Sequence, residues 1–113
     1  MPLNDLGRQI LVDAALKGRH QIYSKLHSGT GSCALGQFHL AKHDYDEMKA
    51  IMCQSLQCVF NAYEEVGLVG KEQCCVCTIC ENNENPLLFN EKDLILHLND
   101  VHQLDFLTIA RKV

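Results

Sequence analysis

The chain predicts an α+β fold that is mainly α: a small helical domain with a short hairpin, then a C-terminal subdomain of ββα or loop–helix form. Three observations carry that expectation. Apolar residues recur at three- and four-residue steps over much of the chain. Glycines punctuate one stretch, at Gly29, Gly31 and Gly36. Four cysteines crowd into Cys74, Cys75, Cys77 and Cys80, ahead of a helical pattern that carries His97 and His102. The predicted division is a helical domain with a Gly-rich hairpin over residues 1–70, and a C-terminal subdomain over 71–113 packed on it. A chain of 113 residues is long enough for one core of this kind.

Asn4 or Asp5 can cap a first helix that runs to about residue 17. Leu3, Leu6, Ile10 and Ala14 lie near one of its faces, with Leu11, Ala15 and Leu16 beside them. Gly18 supplies a stop. Residues 21–26 can be extended, and 28–31 read as a turn. A short helix is expected over 34–42. The longest is expected over 45–66, with Asp44 as cap, Glu47 three residues on, and Gly67 at its end. Met48, Ile51, Met52, Leu56, Val59, Phe60, Tyr63 and Val66 recur along it, and that face is expected to centre the core. The methionine-bearing stripe has a second reading, as a partner groove. After a polar turn over 81–86, Asn90 caps a helix expected from 91 to about 102, with Leu94, Leu98 and Val101 as its stripe. Asp105 caps a last short helix carrying Phe106, Ile109, Ala110 and Val113.

Composition narrows the function. A hydrophobic fraction of 47% excludes general disorder. No apolar run approaches the ~20 residues of a membrane span. The first nine residues lack the basic-then-apolar order of a signal peptide, so the cytoplasm is the expected compartment. Seven cysteines, an odd number and partly clustered, favour metal binding over a disulfide framework. Cys33, Cys53 and Cys58 are scattered and read as buried structural thiols. A formal charge of -4 argues against a surface built to neutralise phosphate. The only dense basic groups are Lys17-Gly18-Arg19-His20 and Arg111-Lys112.

Cys77-x2-Cys80 and His97-x4-His102 are the candidate metal ligands. Two thiolates and two imidazoles can close one tetrahedral zinc site, and one structural zinc is the expected cofactor. The sixteen-residue gap between the pairs slightly exceeds the usual span of about twelve to fifteen, and the polar insert absorbs the excess. Histidines five residues apart are offset by about 140° on an ideal helix, so the final turn must tighten or loosen to bring them together. Cys74 and Cys77 also form a two-residue pair, which leaves the choice of thiols open; Cys74 and Cys75 otherwise read as spectators. His39 and His43 share a helix face, and with Cys33 or Cys53 they could form a second site; the plainer reading is two surface histidines.

Two stretches resemble small proteins of bacteriophages and prophages. One is Gly31-Ser32-Cys33-Ala34-Leu35-Gly36; the other is His97-Leu98-Asn99-Asp100-Val101-His102 with Phe106 and Ile109-Ala110 after it. The resemblance implies a phage-associated origin and a zinc-stabilised fold. The C-terminal part also resembles a two-Cys two-His zinc finger, which implies a helix able to read DNA. At the start of that helix stand Glu91, Lys92, Asp93, Ile95 and Leu96, a poor set for approaching phosphate or reading guanine.

Catalysis is not expected. Zinc deaminases need a His-x-Glu and a Pro before the first cysteine, and here Gln73 and Cys74 precede the pairs. A nuclease built on His97, Asn99 and His102 would need imidazoles that the metal occupies. The segment 105–110 resembles the first helix of a helix-turn-helix, and docking on the domain is its expected role. The expected function is that of a small zinc-binding interaction protein whose partner is a host or phage protein rather than DNA. A zinc-finger transcriptional regulator is the alternative.

Overall fold

The computed structural model describes residues 3–28, 31–69, 75–77, 79–80 and 88–113. The fold is α+β and mainly α. Its elements are α1 (Asp5–Leu16), α2 (Ala34–Lys42), α3 (Glu47–Met52), α4 (Leu56–Glu65), β1 (Cys75–Val76), β2 (Leu88–Phe89), α5 (Glu91–Asp100) and α6 (Phe106–Lys112). The two strands pair antiparallel, Cys75 with Phe89 and Val76 with Leu88, and lead directly into α5. No helix among the described residues is long and apolar enough to cross a membrane. The expected turns at 28–31 and 81–86 fall wholly or partly outside the described residues.

Each helix starts on a side chain that accepts a hydrogen bond from an otherwise orphaned backbone N–H. The caps are Asn4, Cys33, Asp46, Ser55, Asn90 and Asp105. Three of them, Asn4, Asn90 and Asp105, are caps that local sequence marks. Gln21 and His27 meet Ser32 only through isolated bridges, and Ser24 takes a positive φ of 66°. The stretch expected to be extended over 21–26 is therefore a bent loop.

The stretch 45–66 is two helices, not one. Asp44 and Tyr45 adopt positive φ (56° and 60°), which removes Asp44 as a cap and passes the role to Asp46. Cys53 then leaves the helix, and Ser55 opens α4 by accepting from the Cys58 N–H at 3.2 Å. A hydroxyl that satisfies a first-turn donor stabilises a new helix start, and this local bond interrupts the longer periodicity. The face expected to centre the core splits with it. Val59, Tyr63 and Val66 are buried, but Met48, Met52 and Leu56 are 67%, 82% and 70% exposed.

The core is centred on α2. Every residue from 34 to 40 is buried, as in a helix surrounded by other elements. It packs against α1, α3, α4 and α5, while α6 lies along α1. Gly36 permits this crowding: a Cβ there would collide with the Leu26 carbonyl and stand 2.7 Å from the Ser32 Cβ. On α5, Leu94, Ile95 and Leu98 face the core, whereas Val101 is 64% exposed and leaves the expected stripe.

Asn99 joins α5 to α2. Its Oδ1 accepts from the Ala34 N–H (3.0 Å) and from Gln21 Nε2 (2.9 Å). Its Nδ2 donates to the Ile22 carbonyl (3.1 Å) and to Asp100 Oδ1 (2.7 Å). The side chain is fully buried and its hydrogen-bonding capacity is used. Removing it strands several buried partners. Asn99→Ala should therefore lower unfolding free energy by about 2–4 kcal/mol in urea titration. Ser55→Ala, which removes only a cap, should cost about 1 kcal/mol.

Candidate metal centre

Cys77, Cys80, His97 and His102 converge. Their candidate ligand atoms all lie within 4.8 Å of one another and form a group able to hold a metal ion. The strand pair delivers the cysteines. Cys77 follows β1, and a tight turn in which the Cys80 N–H donates to the Cys77 carbonyl (3.1 Å) brings the second sulfur round. Helix α5 delivers the imidazoles. The N–H groups of Val101 and His102 both approach the His97 carbonyl, at 2.9 and 3.4 Å, so the last turn loosens. Gln103 then reverses the chain at φ 50°. That loosening closes the offset expected between the two rings.

The interatomic distances fit a tetrahedron. Zinc–sulfur bonds of about 2.3 Å and zinc–nitrogen bonds of about 2.05 Å give edges of about 3.6 Å between S and N and about 3.3 Å between two N atoms. The structure has 3.4 Å for Cys77 Sγ to His102 Nε2 and 3.2 Å for Cys80 Sγ to the same nitrogen. Cys80 Sγ to His97 Nε2 is 3.6 Å, and the two Nε2 atoms are 3.0 Å apart. Phe89 stacks on His97 with centroids 4.6 Å apart and holds the ring in place.

Local electrostatics favours the ligating form of His97 and opposes that of Cys80. Burial, then the neighbouring His102, lowers the pKa of His97 and favours the neutral imidazole that ligates. Desolvation, then the Cys77 thiol beside it, raises the Cys80 pKa. A bound dication reverses that second effect by stabilising both thiolates. Cys77 is buried and Cys80 is exposed, so one sulfur faces the core and one faces solvent.

Cys74 lies outside the described residues, and Cys75 sits in β1 opposite Phe89. Cys33 caps α2 through its Sγ and does not join His39 and His43. Those two histidines meet Cys58 instead. Sequence reasoning missed Cys58, although Cys53-x4-Cys58 repeats the spacing of His97-x4-His102. It also gave no signal for His27, whose Nε2 lies 2.8 Å from His39 Nδ1. Burial, then His39 and His43, lowers the His27 pKa to about 4.

Comparison with protein-family models, curated proteins and solved structures finds no match to this chain. The geometry therefore carries the functional reading. Cys80→Ser and His102→Ala should each release one metal equivalent relative to the unaltered chain, read by native mass spectrometry. Cys80→Ser should also leave the helical half folded while hydrogen exchange over α5 and its flanking strands accelerates.

Proposed function

We propose that this is a small zinc-binding interaction protein. One structural zinc, held by Cys77, Cys80, His97 and His102, fastens the C-terminal ββα segment, and the molecule acts by binding a protein partner. Borderline-soft zinc suits two thiolates and two imidazoles in a tetrahedral set. Four protein ligands leave no open coordination position, which supports a structural rather than a catalytic metal. The resemblance of residues 31–36 and 97–110 to phage and prophage proteins supports a phage-associated origin and a host or phage protein as the target. Zinc thiolates of this kind persist in a reducing compartment such as the cytoplasm.

One observation carries the binding role. Met48, Met52 and Leu56 are exposed along α3 and the start of α4, and Phe60 is 40% exposed on the same stretch. Beside Phe60 opens a shallow pocket lined by Gln57, Tyr63, Leu68 and Lys92. Flexible thioethers on α3 and a partly exposed aromatic ring on α4 are adaptable apolar groups suited to a protein side chain or helix. The paired substitution Met52→Asp with Leu56→Asp tests the face without touching the metal ligands. It should abolish capture of the partner from a host lysate while zinc content and circular dichroism stay unchanged. Retained capture would remove this face from the function.

The ββα order, with both histidines at the end of its helix, favours DNA recognition as the second reading. Against it, Ile95 is fully buried, and Glu91 and Asp93 place negative charge at the helix start. The protein-partner reading expects no retention of random duplex DNA at low salt. Salt-sensitive binding would favour the regulator.

A further inference from the structure

We propose a second zinc site in the helical half of the molecule, formed by His39, His43, Cys53 and Cys58. It goes beyond the C-terminal site and does not depend on it. Three separate observations converge on these residues.

The first is distance. His39, His43 and Cys58 place candidate ligand atoms within 4.8 Å of one another. His43 Nε2 is 3.2 Å from Cys58 Sγ, and His39 Nε2 is 3.6 Å from it. Both values suit the edge of about 3.6 Å expected between a nitrogen and a sulfur on one zinc. His39, His43 and Cys58 are the donors that geometry brings together; the neighbouring Cys53, whose thiol interacts with that of Cys58, is the residue placed to complete the set as a fourth donor.

The second is ring geometry. His39 lies on α2 and His43 is its C-cap, four residues on, an offset of about 40° on an ideal helix, so both rings leave the same face. Their centroids are 4.8 Å apart with planes at 81°. The C-terminal pair has nearly the same arrangement, at 4.7 Å and 85°.

The third is the break between α3 and α4. On an uninterrupted helix, Cys53 and Cys58 would be offset by about 140° and could not face one ion. The chain leaves the helix at Cys53 and restarts at Ser55, so the two cysteines are not held to that offset. His97 and His102 use the same spacing across the loosened end of α5. In each cluster a five-residue step straddles the end of a helix.

A supporting partner is also present. His39 ligates through Nε2, which keeps its ring proton on Nδ1, where His27 Nε2 stands 2.8 Å away to accept it. Without the ion, His39 Nε2 stands 2.9 Å from the Cys53 carbonyl oxygen; an ion bound at Nε2 replaces that contact and requires the ring proton to sit on Nδ1. Both thiols release their protons to solvent as the ion enters. The two histidines come from the most buried helix and the two cysteines from the edge that carries the exposed methionines. The ion thus ties the proposed binding face to the core.

Zinc-loaded intact protein, examined by native mass spectrometry, should carry two ions. Cys58→Ser and His43→Ala should each carry one, and the ion they retain should be lost on adding Cys80→Ser. His43→Cys, which keeps a ligand, should carry two and guards against mistaking misfolding for loss of a donor. A chain with a single ion that Cys58→Ser leaves in place would overturn the proposal, as would two ions unaffected by that change. A single ion lost with Cys58→Ser and kept with Cys80→Ser would uphold this site and reject the C-terminal one.

Discussion

The junction at Asn99 is the constraint on which the rest of the architecture depends. One buried amide takes the first N–H of α2, the Gln21 side chain and the Ile22 carbonyl. It sits between His97 and His102, so the bond that orients α2 also sets the depth and rotation of the histidine-bearing helix. A buried amide has no water to fall back on, and each partner it orients would otherwise be left unsatisfied. That penalty gives the helix pair one register instead of several.

Both Cys/His clusters hang from this pair of helices. Helix α2 and its C-cap supply His39 and His43, and α5 and the turn after it supply His97 and His102. The C-terminal cluster draws on His97 and His102, five apart, and the proposed second site on Cys53 and Cys58 at the same spacing, which a regular helix would point in different directions. The chain resolves this by ending the helix inside the spacer, at Cys53–Ser55 in one case and after Asp100 in the other. Helix termini, often read as places where order is lost, here aim side chains.

The exposed stripe over α3 and α4 follows from the same break. A continuous helix over 45–66 would present one long apolar face to the core. Two short helices present half of it: Val59, Tyr63 and Val66 turn inward, and Met48, Met52 and Leu56 turn to solvent. The centre of the core passes to α2, whose sequence shows little amphipathic contrast because all its sides are covered. A helix buried all round gives periodicity nothing to register, so its central role is hidden in the sequence.

The sequence alone determined what a few neighbouring residues can decide. The mixed, mainly helical class follows from short-range periodicity, and the starts of α1, α5 and α6 from caps at Asn4, Asn90 and Asp105. The convergence of Cys77 and Cys80 with His97 and His102 was legible because each pair is local and the strand pair needs only a short return. Tertiary structure decided whatever depended on which faces meet. The interruption at Cys53 was invisible because the apolar steps continue across it, while a single hydroxyl at Ser55 decides the local backbone. The meeting of His39 and His43 with Cys58 joins segments on separate helices. Burial, and with it the difference between a core stripe and an open surface, is a property of the packed assembly and of no stretch by itself.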